Sequence, residues 1–153
     1  MSVSFLAVSP VLVPLGTAML ATAASRRPVL QQAISFAGIA ALAVCALMLV
    51  AQASSGTPAV AQFGGWAAPF GIEFVVDGTG ASLVLITALM GVASLLFLVS
   101  DADPGPRHPL LLPLVHGVLA GVGGSFCTAD LFNLYVWFEV MLICSVGLFA
   151  IGG

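Results

Sequence analysis

Five long stretches of this sequence carry almost no charge: Phe5 to Ala24, Val29 to Val50, Gly80 to Val99, Leu110 to Phe126 and Asp130 to Ile151. Each has roughly the 17 to 25 residues that an α-helix needs to cross a hydrocarbon layer. Inside lipid the backbone has to satisfy its own amides and carbonyls, so an apolar run of that length folds as a helix. The pattern predicts an all-α integral membrane protein of about five transmembrane helices, forming a single membrane domain over residues 1–153. The fourth run is the shortest, and it lengthens only into the polar edge at Pro109 or Cys127.

Composition agrees. Hydrophobic residues make up 61% of the chain and charged residues 6%, against about 25% charged in a soluble domain. There is no lysine, and the basic residues are Arg26, Arg27 and Arg107. Without a basic stripe to neutralise phosphates, nucleic acid is excluded as a partner. The net charge of −3 comes from Glu73, Asp77, Asp101, Asp103, Asp130 and Glu139, which are scattered and form no tail. Cys45, Cys127 and Cys144 lie within or beside apolar runs with no CxxC spacing, and they read as small packing residues. No metal and no cofactor is expected.

Arginine placement sets the expected orientation, because connections holding basic residues tend to stay cytoplasmic. Arg26 and Arg27 follow the first run and Arg107 follows the third, whereas residues 51–79 hold no basic residue. The amino terminus is therefore expected outside, in a multi-pass protein of the cell membrane. The same arginines separate the first run from a secretory signal, which carries its positive charge ahead of the apolar run. That run is expected to be a retained helix.

The long second connection contains short apolar stretches at Ala61 to Trp66 and Ile72 to Val76, flanking Ala68-Pro69-Phe70-Gly71. This predicts a small external hairpin between the second and third helices. Trp66 and Phe70 are placed near the membrane interface, and Asp77 as a cap for the third helix. The third connection, residues 100–109, is polar and proline-rich and reads as an exposed cytoplasmic turn, its carboxylates and His108 hydrated. Gly117 and Gly121 have the spacing that lets helix backbones approach, so the fourth helix is expected to be packed on its neighbours. Pro10, Pro14 and Pro113 either free carbonyls toward neighbouring helices or are simply tolerated in a packed bundle.

The ionisable residues within spans are the candidates for chemistry. Glu139 is the tenth residue of the fifth run, which puts it roughly 13 to 14 Å into the membrane. A carboxylate there costs about 2.5 to 3.5 kcal/mol, and such groups generally face a bundle interior or a wet cavity. Glu139 is expected to be buried and to take up or release a proton as its surroundings change; the other reading is a pairing that fixes helix assembly. Among its helical neighbours Tyr135, Val136, Leu142 and Ile143, only Tyr135 can hydrogen-bond it. His116 is either a second proton-exchanging group or a neutral imidazole bonded to a backbone carbonyl. Asp130 reads as a helix cap, with a contribution to a proton exit as the alternative.

The run Thr128-Ala129-Asp130-Leu131-Phe132-Asn133-Leu134-Tyr135-Val136-Trp137-Phe138-Glu139-Val140-Met141-Leu142-Ile143 resembles the fifth helix of the D subunits of Mrp-type cation/proton antiporters. Gly64-Gly65-Trp66-Ala67-Ala68-Pro69-Phe70-Gly71-Ile72 is similar to that family's external hairpin. The family is related to antiporter-like membrane subunits of respiratory complex I and of membrane-bound hydrogenases. The resemblance implies a secondary transporter component rather than an enzyme, with H+ and Na+ as transported ions. It also implies that Glu139 is a proton-path residue working with a lysine on a later helix; His116, Asp130 and Tyr135, read from the residues themselves, are the secondary candidates for that path. Family members are much longer, built on inverted repeats, and this chain has no lysine. The expectation is a split or truncated D subunit that docks with other antiporter subunits, one of them supplying the remaining helices and the lysine. The alternatives are a non-transporting membrane scaffold, or the equivalent piece of a complex I or hydrogenase membrane arm.

Overall fold

A computed structural model describes residues 3–63, 71–100 and 108–152. Five helices are present: α1 (Val3–Ala23), α2 (Pro28–Ser54), α3 (Gly78–Ser100), α4 (Leu111–Cys127) and α5 (Leu131–Gly152). Between α2 and α3 lie strands β1 (Ala59–Gln62) and β2 (Glu73–Val76). Helices α1, α2, α3 and α5 are long and apolar enough to cross a membrane, and α4 is the shorter apolar helix. The chain is a multi-pass, all-α membrane protein with one small hairpin. Trp66, Phe70 and the rest of residues 64–70 lie outside the described residues, as do Asp101, Asp103 and Arg107.

Helix ends follow local chemistry. Pro28 opens α2 at a position where an amide would have no helical partner. The chain leaves α2 through Gly56, whose φ of +82° is the left-handed conformation that glycine adopts without strain. The second helix therefore runs four residues beyond the apolar stretch that announced it. Asp77 caps α3 as expected: the Gly80 amide donates to its Oδ1 at 2.8 Å.

The hairpin is antiparallel, pairing Ala59 with Val76 and Gln62 with Glu73. Period-two alternation sends Ala59, Ala61, Phe74 and Val76 inward. Those side chains join Leu6, Ala7 and Val11 of α1, Leu42, Ala46 and Leu49 of α2, and Ala81, Val84 and Ala88 of α3 in one core. The hairpin thus plugs one end of the helix bundle. It is also tied to the α4–α5 link, where the Ala129 amide donates to the Glu73 carbonyl at 2.9 Å. Phe74 bridges Thr128 through the backbone and packs edge-on against Trp137, with ring centroids 6.2 Å apart. A second core, Ile39, Leu95, Leu112 and Leu119, fills the other half of the bundle.

Helix α4 is the hub, packing on α1, α3 and α5. Its glycines make this possible. A Cβ added at Gly121 would lie 2.8 Å from the Met141 backbone amide, and Gly117 and Gly124 abut Cys144 and Trp137. Gly123, on another face, backs onto α1, where an added Cβ would lie 2.7 Å from the Pro10 carbonyl oxygen. That oxygen is the one whose helical donor Pro14 removes. Likewise Pro10 removes the donor for Leu6, and the Ser9 hydroxyl replaces it at 2.8 Å. The buried prolines of α1 therefore free carbonyls that its own side chains and α4 then cover. Pro113 sits in the first turn of α4, where no donor is lost.

Candidate functional site

Helix α5 starts at Asp130, whose Oδ1 accepts the Phe132 amide at 2.6 Å and the Asn133 amide at 3.0 Å. A short acidic side chain satisfies the free amides of a first turn and complements its positive dipole. Capping is thus the role the geometry gives Asp130. Thr128 steadies the same turn by accepting the Asn133 side-chain amide at 3.0 Å.

Glu139 is the ninth residue of α5, roughly 12 Å along the helix from its start. It is not buried within this chain, contrary to the sequence expectation; it is half-exposed. The cause is rotational. α5 packs on α4 through Trp137, Met141 and Cys144, and at 100° per residue Glu139 lies about 160° around the helix from Trp137 and Met141. Its neighbours Tyr135, Leu142 and Ile143 are exposed with it. Among the described residues of α5 only Asn133 is buried. The Tyr135 phenol lies one turn before Glu139 on the same face, within reach of its carboxylate. The site is therefore a Tyr–Glu pair on an otherwise apolar, uncovered face.

His116 is elsewhere. It is 1% exposed and faces α1 from α4, on the stripe that also carries Ala120 and Gly123. Its Nε2 has no hydrogen-bond partner among the described residues. The structure brings Tyr135 and Glu139 together, leaves Asp130 at the helix start and sets His116 on the far side of the α4–α5 contact. Among the described residues no group of three His, Cys, Asp or Glu side chains comes together as a metal site would require.

Sequence reasoning passes over Gln31, a buried polar residue in α2. Its side-chain amide donates to the Ala21 carbonyl at 2.9 Å and to the Pro109 carbonyl at 2.7 Å, pinning α1, α2 and α4 together at the end opposite the hairpin. Ser35, one turn on, is fully buried and its hydroxyl has no partner among the described residues. A signal exists: two polar residues four apart in an apolar run share a helix face.

Among known proteins, the chain is 32% identical over 97% of its length to the D subunit of the Na(+)/H(+) antiporter of Alkalihalophilus pseudofirmus, covering 30% of that protein. It is 35% identical over 94% of its length to the D subunit of the Na(+)/H(+) antiporter of Bacillus subtilis, covering 29% of it. A Rhizobium meliloti protein, named as the D subunit of a probable K(+)/H(+) antiporter, is 34% identical over 94% of the chain, which covers 27% of that protein. The chain thus spans about three tenths of the length of these relatives. Its fold matches a chain of the Mrp complex from Dietzia sp. with a TM-score of 0.87 and 34% identity, covering 97% of this chain and 27% of that one. A chain of an archaeal membrane-bound sulfane sulfur reductase shares the fold at a TM-score of 0.82 and 24% identity, over 90% of this chain and 28% of that one. No protein-family model matches.

Proposed function

We propose that this chain, similar to antiporter D subunits over nearly its whole length, forms part of a multisubunit monovalent cation/proton antiporter and contributes Glu139 to the proton path. The observation that carries the reading is the Tyr135–Glu139 pair on the uncovered face of α5. A carboxylate at that depth is costly beside lipid and generally faces protein or water. Further helices of the same transport unit packed on α5 would enclose it. A cation from one of them would favour the charged form, and its withdrawal the protonated form, which is how a relay moves a proton. These 153 residues hold no lysine, so a lysine acting as that cation would lie outside them.

Asp130, Tyr135 and His116 take secondary places in this proposal. In it Asp130, beyond its capping role, exchanges protons with water at the membrane surface, and Tyr135 orients the Glu139 carboxylate. Na+ is the expected counter-ion, and the membrane is the cell membrane with the amino terminus outside, because Arg26 and Arg27 are exposed in the first connection. In membrane vesicles holding the assembled complex, Glu139→Gln should abolish sodium-dependent proton exchange and leave the complex intact on a native gel. Unchanged exchange in that variant would remove Glu139 from the path, and exchange driven by K+ in place of Na+ would correct the cation.

A second reading is favoured by the same exposure. If Glu139 serves helix assembly in a scaffold, Glu139→Gln loses the complex on the native gel before exchange can be measured.

A further inference from the structure

Three buried polar residues outside the Glu139 face lie at one level of the bundle. Gln31 fixes the register there, its amide reaching both Ala21 of α1 and Pro109 in the turn just before α4. Ser35 is one turn further along α2 on the same stripe, roughly 6 Å on, and it is 0% exposed. Thr17 is one turn before Ala21 in the antiparallel α1, so it reaches the same level, and it abuts Gly38 of α2. On α4, His116 is two turns beyond Pro109, and helical side chains lean back toward the amino terminus, which carries its ring toward Ser35. The pairing of Pro10 with Gly123 in α1 and α4 gives the same alignment, since seven residues along each antiparallel helix bring Thr17 to His116.

Ser35 Oγ and His116 Nε2 are both buried with no hydrogen-bond partner among the described residues. Orphaned polar atoms are costly in a helix interior, and the usual remedy is an ordered water with two to four polar partners. The Thr17 hydroxyl donates to the Val13 carbonyl at 2.7 Å and keeps its capacity to accept. We propose that Thr17, Ser35 and His116 form an internal water-binding site between α1, α2 and α4. The site stands apart from Glu139, since the glycine face of α4 and the body of α5 lie between them. It hydrates His116 from the Gln31 end of the bundle and does not depend on the transport reading.

Hydroxyl-radical labelling by X-ray radiolysis reports on side chains beside bound water even when bulk solvent cannot reach them. Applied to the chain in its assembled complex, it should modify His116 at a rate comparable to that of the exposed His108. Ser35→Ala should lower His116 labelling several-fold, and Ser35→Thr, which keeps the hydroxyl, should retain it. A His116 that stays unmodified at doses that modify His108 would overturn the site. Labelling that is insensitive to Ser35→Ala would overturn the part given to Ser35. Should Ser35→Ala fail to assemble, the wild-type and Ser35→Thr rates decide the question.

Discussion

At the level of single residues, the polar groups within the spans of this chain are few enough to be taken one at a time. Gln31 donates to two carbonyls, one in α1 and one in the turn before α4, so Gln31→Leu strands both acceptors. Hydrogen bonds within membrane bundles contribute about 0.6 to 2 kcal/mol each, and the variant should lose on the order of 1 to 3 kcal/mol in a detergent-unfolding titration. Tyr135→Phe removes the hydroxyl beside Glu139 while keeping the ring. A hydrogen bond of about 1 kcal/mol corresponds to roughly a fivefold change, so exchange in vesicles should slow by about that factor, short of the complete loss expected for Glu139→Gln. A Tyr135→Phe rate equal to wild type would separate the phenol from the carboxylate's function. Glu139, Tyr135, His116 and Asp130 can all be picked out from sequence, because an ionisable or hydroxyl-bearing side chain in an apolar run is conspicuous. Gln31 and Ser35 escape notice because neutral polar residues are common in spans, and their importance lies in what other helices present to them.

Among the elements, α4 and the hairpin decide the geometry. The glycines of α4 serve two neighbours, Gly117, Gly121 and Gly124 toward α5 and Gly123 toward α1. At Gly121 the close atoms include the Met141 backbone, which cannot rotate away, so Gly121→Val should cost about 1 to 3 kcal/mol as overpacking and weaken the α4–α5 contact. Gly16, with nothing near its Cβ position, is the control. Gly16→Ala should be neutral or stabilising by up to about 1 kcal/mol, and the same unfolding titration compares the two. The Gly117 and Gly121 spacing is visible in the sequence, but not which helix fills it. Small residues permit close approach to any partner, and the partner is fixed only by the order in which helices pack. The hairpin is legible through two short apolar stretches flanking a turn-like sequence, although its first strand, Ala59–Gln62, begins two residues before the expected stretch. Its anchoring to the α4–α5 link through Glu73 and Ala129 is not, since backbone hydrogen bonds between distant segments leave no mark on residue choice.

For the molecule as a whole, topology is the quantity to test. A cysteine placed at Thr57, in the connection between α2 and the hairpin, should react with a membrane-impermeant maleimide in intact cells, whereas one at Ser25 should react only after permeabilisation. The reverse pattern would invert the orientation inferred from the arginines. That this chain crosses a membrane as helices follows from its residues alone, because lipid offers the backbone no partner and apolar length then dictates structure. The carboxylate on the fifth helix stands out at the same stage. The direction in which it points was left to the packing of the helices. Helix α5 is apolar on nearly every side, so its own pattern does not distinguish a packed face from a free one. The glycine face of α4 seats Trp137, Met141 and Cys144, and that contact turns Glu139 outward, away from the other described helices.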